Sequence, residues 1–262
     1  MPALTAILIA YNEELDLPSA LTSLQGVADE IILVDSGSAD RTCEIARGFG
    51  ARVYTRQVDS LAEQKNFATS FASNNWVISI DCDEELDAEL RASILAWKQS
   101  TPDESGYEFA LRTNYLGGWI RHSGWYPDYK LRIYRRDRGK FFSAAHEGIR
   151  IEGAVGRLKG HLLHYTVRSL KEHRAKIDSL TTLAAQEMFA RGRKSWRGAM
   201  IFAPPWTFVQ KLVFQLGVLD GWRGWPIAWL SSAYIYHKYR KLGRLLAGET
   251  LKRRSWPSPD KV

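Results

Sequence analysis

The first hundred residues alternate short apolar runs with stretches of helical periodicity, a pattern that few folds accept. Residues 4–10 form a nearly uninterrupted apolar run, as a parallel strand buried on both faces requires, and polar Tyr11-Asn12-Glu13-Glu14 follows at once. Leu17, Ala20, Leu21 and Leu24 then recur at helical intervals, and residues 30–34 give a second strand that stops at Asp35-Ser36-Gly37-Ser38. A helix over about 39–48, a strand over 51–54, a helix over 60–74 and a strand over 76–80 ending at Asp81-Cys82-Asp83 complete the series. Repeated βα units with such short connections predict an α/β fold with a mostly parallel, helix-covered sheet.

Open sheets of this kind bind ligands beyond the carboxyl ends of their strands, which is where the polar clusters fall. No GxGxxG follows the first strand and no GxxxxGK[ST] occurs anywhere, which disfavours dinucleotide oxidoreductases and P-loop NTPases. A glycine-rich basic loop after the first strand, as a sugar nucleotidyltransferase would want, is also missing.

After a helix over 89–98 the pattern changes to shorter strand-like pieces at 107–111, 119–120, 130–134, 148–152 and 161–165, read as an antiparallel or mixed extension of the sheet. Ser169-Leu170-Lys171-Glu172 is a capping box that opens a helix to about Arg191. Residues 196–239 then hold five of the ten tryptophans. The charge-free runs 198–210 and 224–236 are too short for a bilayer span of roughly 20 residues. Basic clusters follow at once, which fits a helix pair lying in a membrane interface, or alternatively an apolar hairpin packed on the domain or on a second subunit. The division expected is a domain over 1–168 and a helical, aromatic and basic region over 169–262.

Charge divides earlier, near residue 100. Residues 1–100 carry 7 Lys+Arg against 16 Asp+Glu, a net −9, whereas 101–262 carry 29 against 13, a net +16. The acidic sheet edge would repel a phosphate backbone unless a cation were bound, so no nucleic acid is expected, although aromatics interleaved with Lys and Arg could stack bases. A non-catalytic membrane- or nucleic-acid-binding protein is the alternative from outside enzymology. Two distant cysteines, Cys43 and Cys82, form no disulfide framework, and the N-terminus has no basic leader, so a cytoplasmic protein is expected.

Asp81 and Asp83 are the sharpest chemical signal. Two carboxylates at i and i+2 after a buried strand would point the same way, with Cys82 opposite, and could hold a hard divalent cation that also touches a diphosphate. Glu84-Glu85 reads as helix-start charge. Asn12, Glu13 and Asp35 are suited to a nucleotide base and ribose, though Asp35 in Asp-Ser-Gly-Ser is equally a turn former. Lys130 and Arg132 alternate with Leu131 and Ile133, so both could reach one face and meet phosphate, or lie on a solvated strand face.

These residues resemble the family 2 inverting glycosyltransferases of GT-A fold. The resemblance lies in Ala10-Tyr11-Asn12-Glu13, Val34-Asp35-Ser36-Gly37-Ser38-Ala39-Asp40-Arg41-Thr42, Gln64-Lys65-Asn66 and Ile80-Asp81-Cys82-Asp83-Glu84, which occur in the family's order over most of residues 3–165. It implies a nucleotide-sugar half over 1–100 and an acceptor half over 101–168. It also implies that Tyr11, Asn12, Glu13, Asp35 and Ser36 hold a UDP-sugar with Lys65 and Asp81 beside it. By the same resemblance Asp83 and a late histidine, His164, join Asp81 around Mg²⁺ or Mn²⁺. The resemblance further implies that the catalytic base is Glu147 in Ala145-His146-Glu147, where the family usually has Glu-Asp; Asp128 is the competing base or an acceptor-hydroxyl ligand, and His146, Lys130 and Arg132 are secondary candidates for acceptor or phosphate. Residues 129–136, His164-Tyr165 and the aromatic tail around Trp222 and Trp225 are similar to the lipopolysaccharide core-biosynthesis glucosyltransferases. That likeness implies transfer of glucose to an inner-core heptose of a lipid-linked glycan, with peripheral contact at the cytoplasmic face of the inner membrane. A polyprenyl-phosphate acceptor would use the same nucleotide half, and self-association stays open.

Overall fold

The computed structural model describes residues 1–57, 60–142 and 148–251. Glu147 and His146, the expected base and its neighbour, therefore lie outside the described residues. The chain forms two units, one of residues 1–112 with 128–165 and one of residues 113–127 with those from 166 on.

In the first unit, strand β1 (Leu4–Ala10) is apolar throughout because both of its faces are covered. Leu4, Ala6 and Leu8 pack with α1 (Leu17–Leu24), whereas Ile7 belongs to a second cluster on the opposite face. β2 (Glu30–Asp35), α2 (Thr42–Gly48), β3 (Arg52–Thr55), α3 (Leu61–Ser70) and β4 (Trp76–Ser79) continue the alternation. β5 (Glu84–Leu86), α4 (Ala88–Lys98), β6 (Gly106–Tyr115), β7 (Gly118–Trp119), β8 (Asp128–Arg135), β9 (Gly139–Phe142), β10 (Gly148–Ile151) and β11 (Val155–Val167) follow. The main sheet has the order β3-β2-β1-β4-β8-β6-β11-β5, with β7 on β6. β1 pairs parallel with β2 and β4, and β2 with β3, while β8 runs antiparallel to both β4 and β6. This is the expected fold class, parallel at one side with an antiparallel extension.

Leu90, Ile94 and Trp97 of α4 join the α1 face, and Ala62 and Ala68 of α3 join the other with Tyr134 and Phe141. Each fully buried Leu or Ile contributes roughly 1.5–3 kcal/mol. The connection after β4 differs from expectation. The strand ends at Ser79, and Glu84 and Glu85 do not open a helix: they lie in β5, which pairs antiparallel with β11. Gly160 lets β11 pass α4, since its φ is +95° and a Cβ there would lie 2.1 Å from the Leu90 nitrogen.

The second unit is built on α5 (Leu170–Ala190), α6 (Arg197–Val209), a π-helical turn over Gln210–Phe214, a 3₁₀ stretch over Gly217–Arg223 and α7 (Gly224–Leu246). Ser169 caps α5 as its sequence demands, accepting from the Glu172 N–H at 3.1 Å. Tyr115, Ile120, Val167 and Ile227 form this unit's core. Asp220 is buried within it and accepts from the Arg121 N–H at 2.9 Å and the Ser123 hydroxyl at 2.7 Å. Thr113–Pro127 thus groups with the helices although it precedes residue 168. No helix among the described residues is long and apolar enough to cross a membrane.

Candidate active site

The site is built at the carboxyl edge of the parallel strands of the first unit. The loop after β1 turns sharply because Asn12 takes φ +56°, a conformation Asn tolerates better than most residues. Three successive N–H groups of that loop are fixed by side chains of the loop after β2: Asn12 donates to Ser38 Oγ at 2.8 Å, Glu13 to Thr42 Oγ1 at 2.8 Å and Glu14 to Asp40 Oδ2 at 3.1 Å. In return the Ala39 N–H donates to Asn12 Oδ1 at 2.8 Å. Tyr11 stands exposed at this edge.

Asp35 takes the turn-forming role that its Asp-Ser-Gly-Ser setting offered. Its side chain is 2% exposed; Oδ2 accepts from the N–H groups of Gly37 at 2.8 Å and Ser38 at 2.9 Å, and Oδ1 accepts from the Ser38 hydroxyl. The carboxylate therefore makes the turn, and Gly37 permits it with φ +97°. Ser36 is tied instead to α3, its Oγ accepting from Gln64 Nε2 at 2.5 Å.

Asp81 and Asp83 lie in the turn after β4, where the strand's period of two has ended, and they take different partners. Cys82 is buried between them, its thiol donating to the Ile9 carbonyl. Asp81 faces inward: Lys65 Nζ lies 2.8 Å from Oδ1 and Arg132 Nη2 3.2 Å from Oδ2. Burial alone would raise its pKa, but these two cations outweigh it and hold the carboxyl well below the usual carboxylate range. Arg132 also donates to Glu84, which is 1% exposed and accepts from the Asp81 N–H at 3.0 Å. Burial pushes Glu84 up to about 7 against the pull of Arg132.

Asp83 faces His164. The antiparallel register of β5 on β11 sets His164 opposite Glu84, and its Nε2 comes to 3.2 Å from Asp83 Oδ2 with both side chains partly open to solvent. Burial would lower the His164 pKa, but hydrogen bonding to Asp83 and the nearby carboxylates raise it. A carboxylate oxygen beside an imidazole nitrogen is a donor set that fits a divalent cation such as Mn²⁺. Among the described residues no group of three or more His, Cys, Asp or Glu side chains converges, so such an ion would take its remaining ligands from diphosphate and water. Of the expected set of Asp81, Asp83 and His164, Asp83 and His164 lie side by side, while Asp81 pairs with Lys65 and Arg132.

The two cationic candidates also part. Arg132 reaches the acidic edge, whereas Lys130 pairs with Asp128 at 3.0 Å on an exposed stretch. Asp128 opens β8 at the end lying toward the carboxyl edge of β4. Sequence reasoning missed Glu84, because nothing in a run of four acids marks which one is buried under an arginine 48 residues away. It also missed Ser38, Asp40 and Thr42 as the braces of the loop. Their signal was present, since Ser, Asp and Thr are the residue types that bond neighbouring backbone.

The model of Glycosyl transferase family 2 matches residues 5–151, more than half of the chain. This chain is a family 2 glycosyltransferase. Its GT-A fold accords with the mixed sheet described above. The glycosyltransferase is 31% identical over 252 residues to the lipopolysaccharide core biosynthesis glycosyltransferase LpsC of Rhizobium meliloti (strain 1021), covering 90% of this chain and 93% of that one. It is 40% identical over 255 residues to an uncharacterized glycosyltransferase of Rickettsia bellii (strain RML369-C), covering 92% and 85%. A solved structure of glucosyl-3-phosphoglycerate synthase from Mycobacterium tuberculosis, in complex with Mn²⁺, UDP and phosphoglyceric acid, is 18% identical. It aligns over 74% of this chain and 80% of its own with a TM-score of 0.48.

Proposed function

We propose that this glycosyltransferase moves a hexose, glucose by the sequence likeness, from a UDP-sugar to a hydroxyl of a lipid-linked surface glycan of the lipopolysaccharide core type, in an inverting, metal-dependent step. The observation that carries the metal-dependent step is the pairing of Asp83 with His164 at 3.2 Å beyond the carboxyl edge of β4. The 31% identity to LpsC along 90% of the chain supports the class of acceptor.

Each part has a task in this reading. Tyr11 offers a ring face to the uracil, while the Asn12–Glu14 backbone and the Asp35 turn keep that edge in shape before the donor arrives. Lys65 and Arg132 neutralise Asp81 and leave this end of the sheet less repulsive to a diphosphate. Asp83 and His164 would hold the divalent ion, which when bound neutralises charge growing on the departing diphosphate. Glu147, or Asp128 at the start of β8, takes the proton from the acceptor hydroxyl as that oxygen attacks the anomeric carbon.

The test is a panel of UDP-, GDP-, ADP- and CMP-sugars with and without Mn²⁺ or Mg²⁺, read by thermal shift and by slow nucleotide release. Stabilisation by one UDP-sugar only when metal is present, lost in Asp83→Ala, is expected. Undiminished turnover by Asp83→Ala, or an equal response in a chelator, would sink the metal-dependent reading. Glu147→Gln and Asp128→Asn, assayed for transfer, decide the base: the true base loses transfer by about 10²-fold or more while donor binding holds.

A further inference from the structure

The second unit exposes an amount of apolar surface that its own core cannot use. Along α6 and the turn after it, Phe202, Trp206, Val209 and Val213 recur at spacings of four, three and four, one helical stripe, and all four are exposed. Phe202 is 75% exposed and Phe214 66%, and Trp206 packs its ring on Phe214 at 5.6 Å. The connection to α7 adds Leu216, Val218, Leu219 and Trp222, all exposed, and α7 itself adds Trp225 and Trp229 one turn apart. Ser232 of α7 bonds the Pro204 carbonyl and Phe208 packs near Trp225, so the two helices run as an antiparallel hairpin with these residues around its tip. A soluble monomer rarely leaves a patch of this extent open to water.

Charge selects the occupant. Residues 196–246 hold seven Lys+Arg and one acidic residue. Lys241 and Arg244 pair with Asp178 and Glu249, and Lys211 and Arg223 bond backbone carbonyls, which leaves Arg197, Lys238 and Arg240 as the cations nearest the apolar face. The acidic residue, Asp220, has its carboxylate buried on the backbone of Arg121 and the Ser123 hydroxyl. No acidic side chain is therefore left on the hairpin surface to repel anions. Beside the tip lies a groove of about 470 Å³ walled by Leu170, Phe208, Trp225, Pro226, Trp229 and Leu230, with Arg174 as the only charged residue in its wall. Tryptophans and aliphatics standing proud of a cation-rich, acid-free helix pair match the boundary between acyl chains and head groups of an anionic leaflet.

We propose that the exposed face of α6 and its connection to α7 seat in the interface of an anionic bilayer, with the groove beside Trp225 and Trp229 taking an acyl segment whose phosphate meets Arg174. This goes beyond the transfer reaction and stands on the second unit alone.

The test uses the full chain and vesicles of phosphatidylglycerol with phosphatidylethanolamine, compared with phosphatidylcholine alone, read by co-sedimentation. Binding to the phosphatidylglycerol vesicles is expected. The double variant Phe202→Glu with Phe214→Glu should lose binding by about tenfold or more, near 1.4 kcal/mol, while its thermal melt and circular dichroism stay native. Both positions are exposed, so the fold does not depend on them, and Trp229→Ala supplies a milder second variant with the same direction. Arg174→Gln should erase much of the preference for the anionic lipid. Failure of the wild type to sediment, or equal sedimentation by the double variant, overturns the proposal. So does a light-scattering dimer that the double variant disperses, without vesicle binding, since the patch would then face a second copy. Neither donor nor acceptor enters the assay, so these outcomes leave the transferase reading to its own test.

Discussion

At Lys65 the chain places an ammonium that is 5% exposed against a carboxylate, and such a placement persists only when the pair is satisfied. Lys65→Met keeps the length of the side chain and removes the charge, leaving Asp81 to Arg132 alone. Because the Asp81 side chain is about a third exposed, water recovers part of the loss. The expected cost is about 1–2 kcal/mol in urea unfolding, with a weaker thermal shift on adding UDP-sugar and metal. A second residue reports through pH. His173 Nδ1 and the Tyr115 hydroxyl share a hydrogen bond at 2.9 Å, and burial followed by the Lys176 charge lowers the ring's pKa from 6.5 to about 4. Unfolded, the ring takes a proton near pH 6.5; folded, it resists until about 4. Stability from this group is therefore complete above pH 6.5 and lost as the pH falls through that window. Melting temperatures of wild type and His173→Gln between pH 7 and 4 check it, with a flatter slope expected for the variant. Neither pairing has a sequence spacing that announces it, whereas the Asp81-Cys82-Asp83 string is visible to any reader. What the string hid is that its two acids take different partners, in a turn that begins once β4 has ended at Ser79.

At the scale of the element, α3 explains why Gln64, Lys65 and Asn66 stand together. Successive helical residues project about 100° apart, so three neighbours can serve three partners. Gln64 bonds Ser36 in the loop after β2, Lys65 meets Asp81 after β4, and Asn66 closes on both backbone groups of Phe141 in β9 at 2.9 Å each. Ser60 caps the helix. Asn66→Ala would leave the Phe141 N–H and carbonyl without these partners, at about 1–3 kcal/mol if no water replaces them. The amide of Phe141 should then exchange with deuterium much faster than those of β1. The arms β9 and β10 lead by covalent connection to residues 143–147, so transfer by this variant should fall in kcat with little change in KM for the donor. Unchanged exchange at Phe141 would refute the bracing role. Long elements were legible: β1, β2, α4 and α5 lie where their periodicity places them. β5 and β9 were not, since three or four residues carry too little alternation to read, and β5 in addition exists only because the distant β11 pairs with it. α3 stops at Ser70 rather than near 74, because the chain from Phe71 turns to enter β4.

Over the whole molecule, charge separates by unit. Among the described residues the helical unit carries 15 Lys+Arg against 5 Asp+Glu, a net +10, while the sheet unit carries 17 against 21, a net −4. The division of charge was plain in the sequence, but the grouping of Thr113–Pro127 with the helices was not, since no shift in composition marks that stretch and its contacts are made by residues about a hundred positions later. The two parts of the proposed reaction should accordingly answer salt differently. Attraction of an anionic, membrane-held acceptor to the basic unit acts over distances comparable with the Debye length, about 10 Å at 0.1 M ionic strength, and is screened as salt rises. The ion pairs at the proposed donor site are short-range: Lys65 and Arg132 lie within 3.2 Å of Asp81, and Asp83 within 3.2 Å of His164. Raising KCl from about 0.05 to 0.5 M, across which the Debye length shrinks to a few ångströms, should therefore reduce transfer to acceptor presented in anionic vesicles several-fold. Metal-dependent hydrolysis of the UDP-sugar over the same range should change little. Parallel loss of both rates would place the salt-sensitive contacts at the donor edge instead, and the basic helical unit would then have no part in gathering the acceptor.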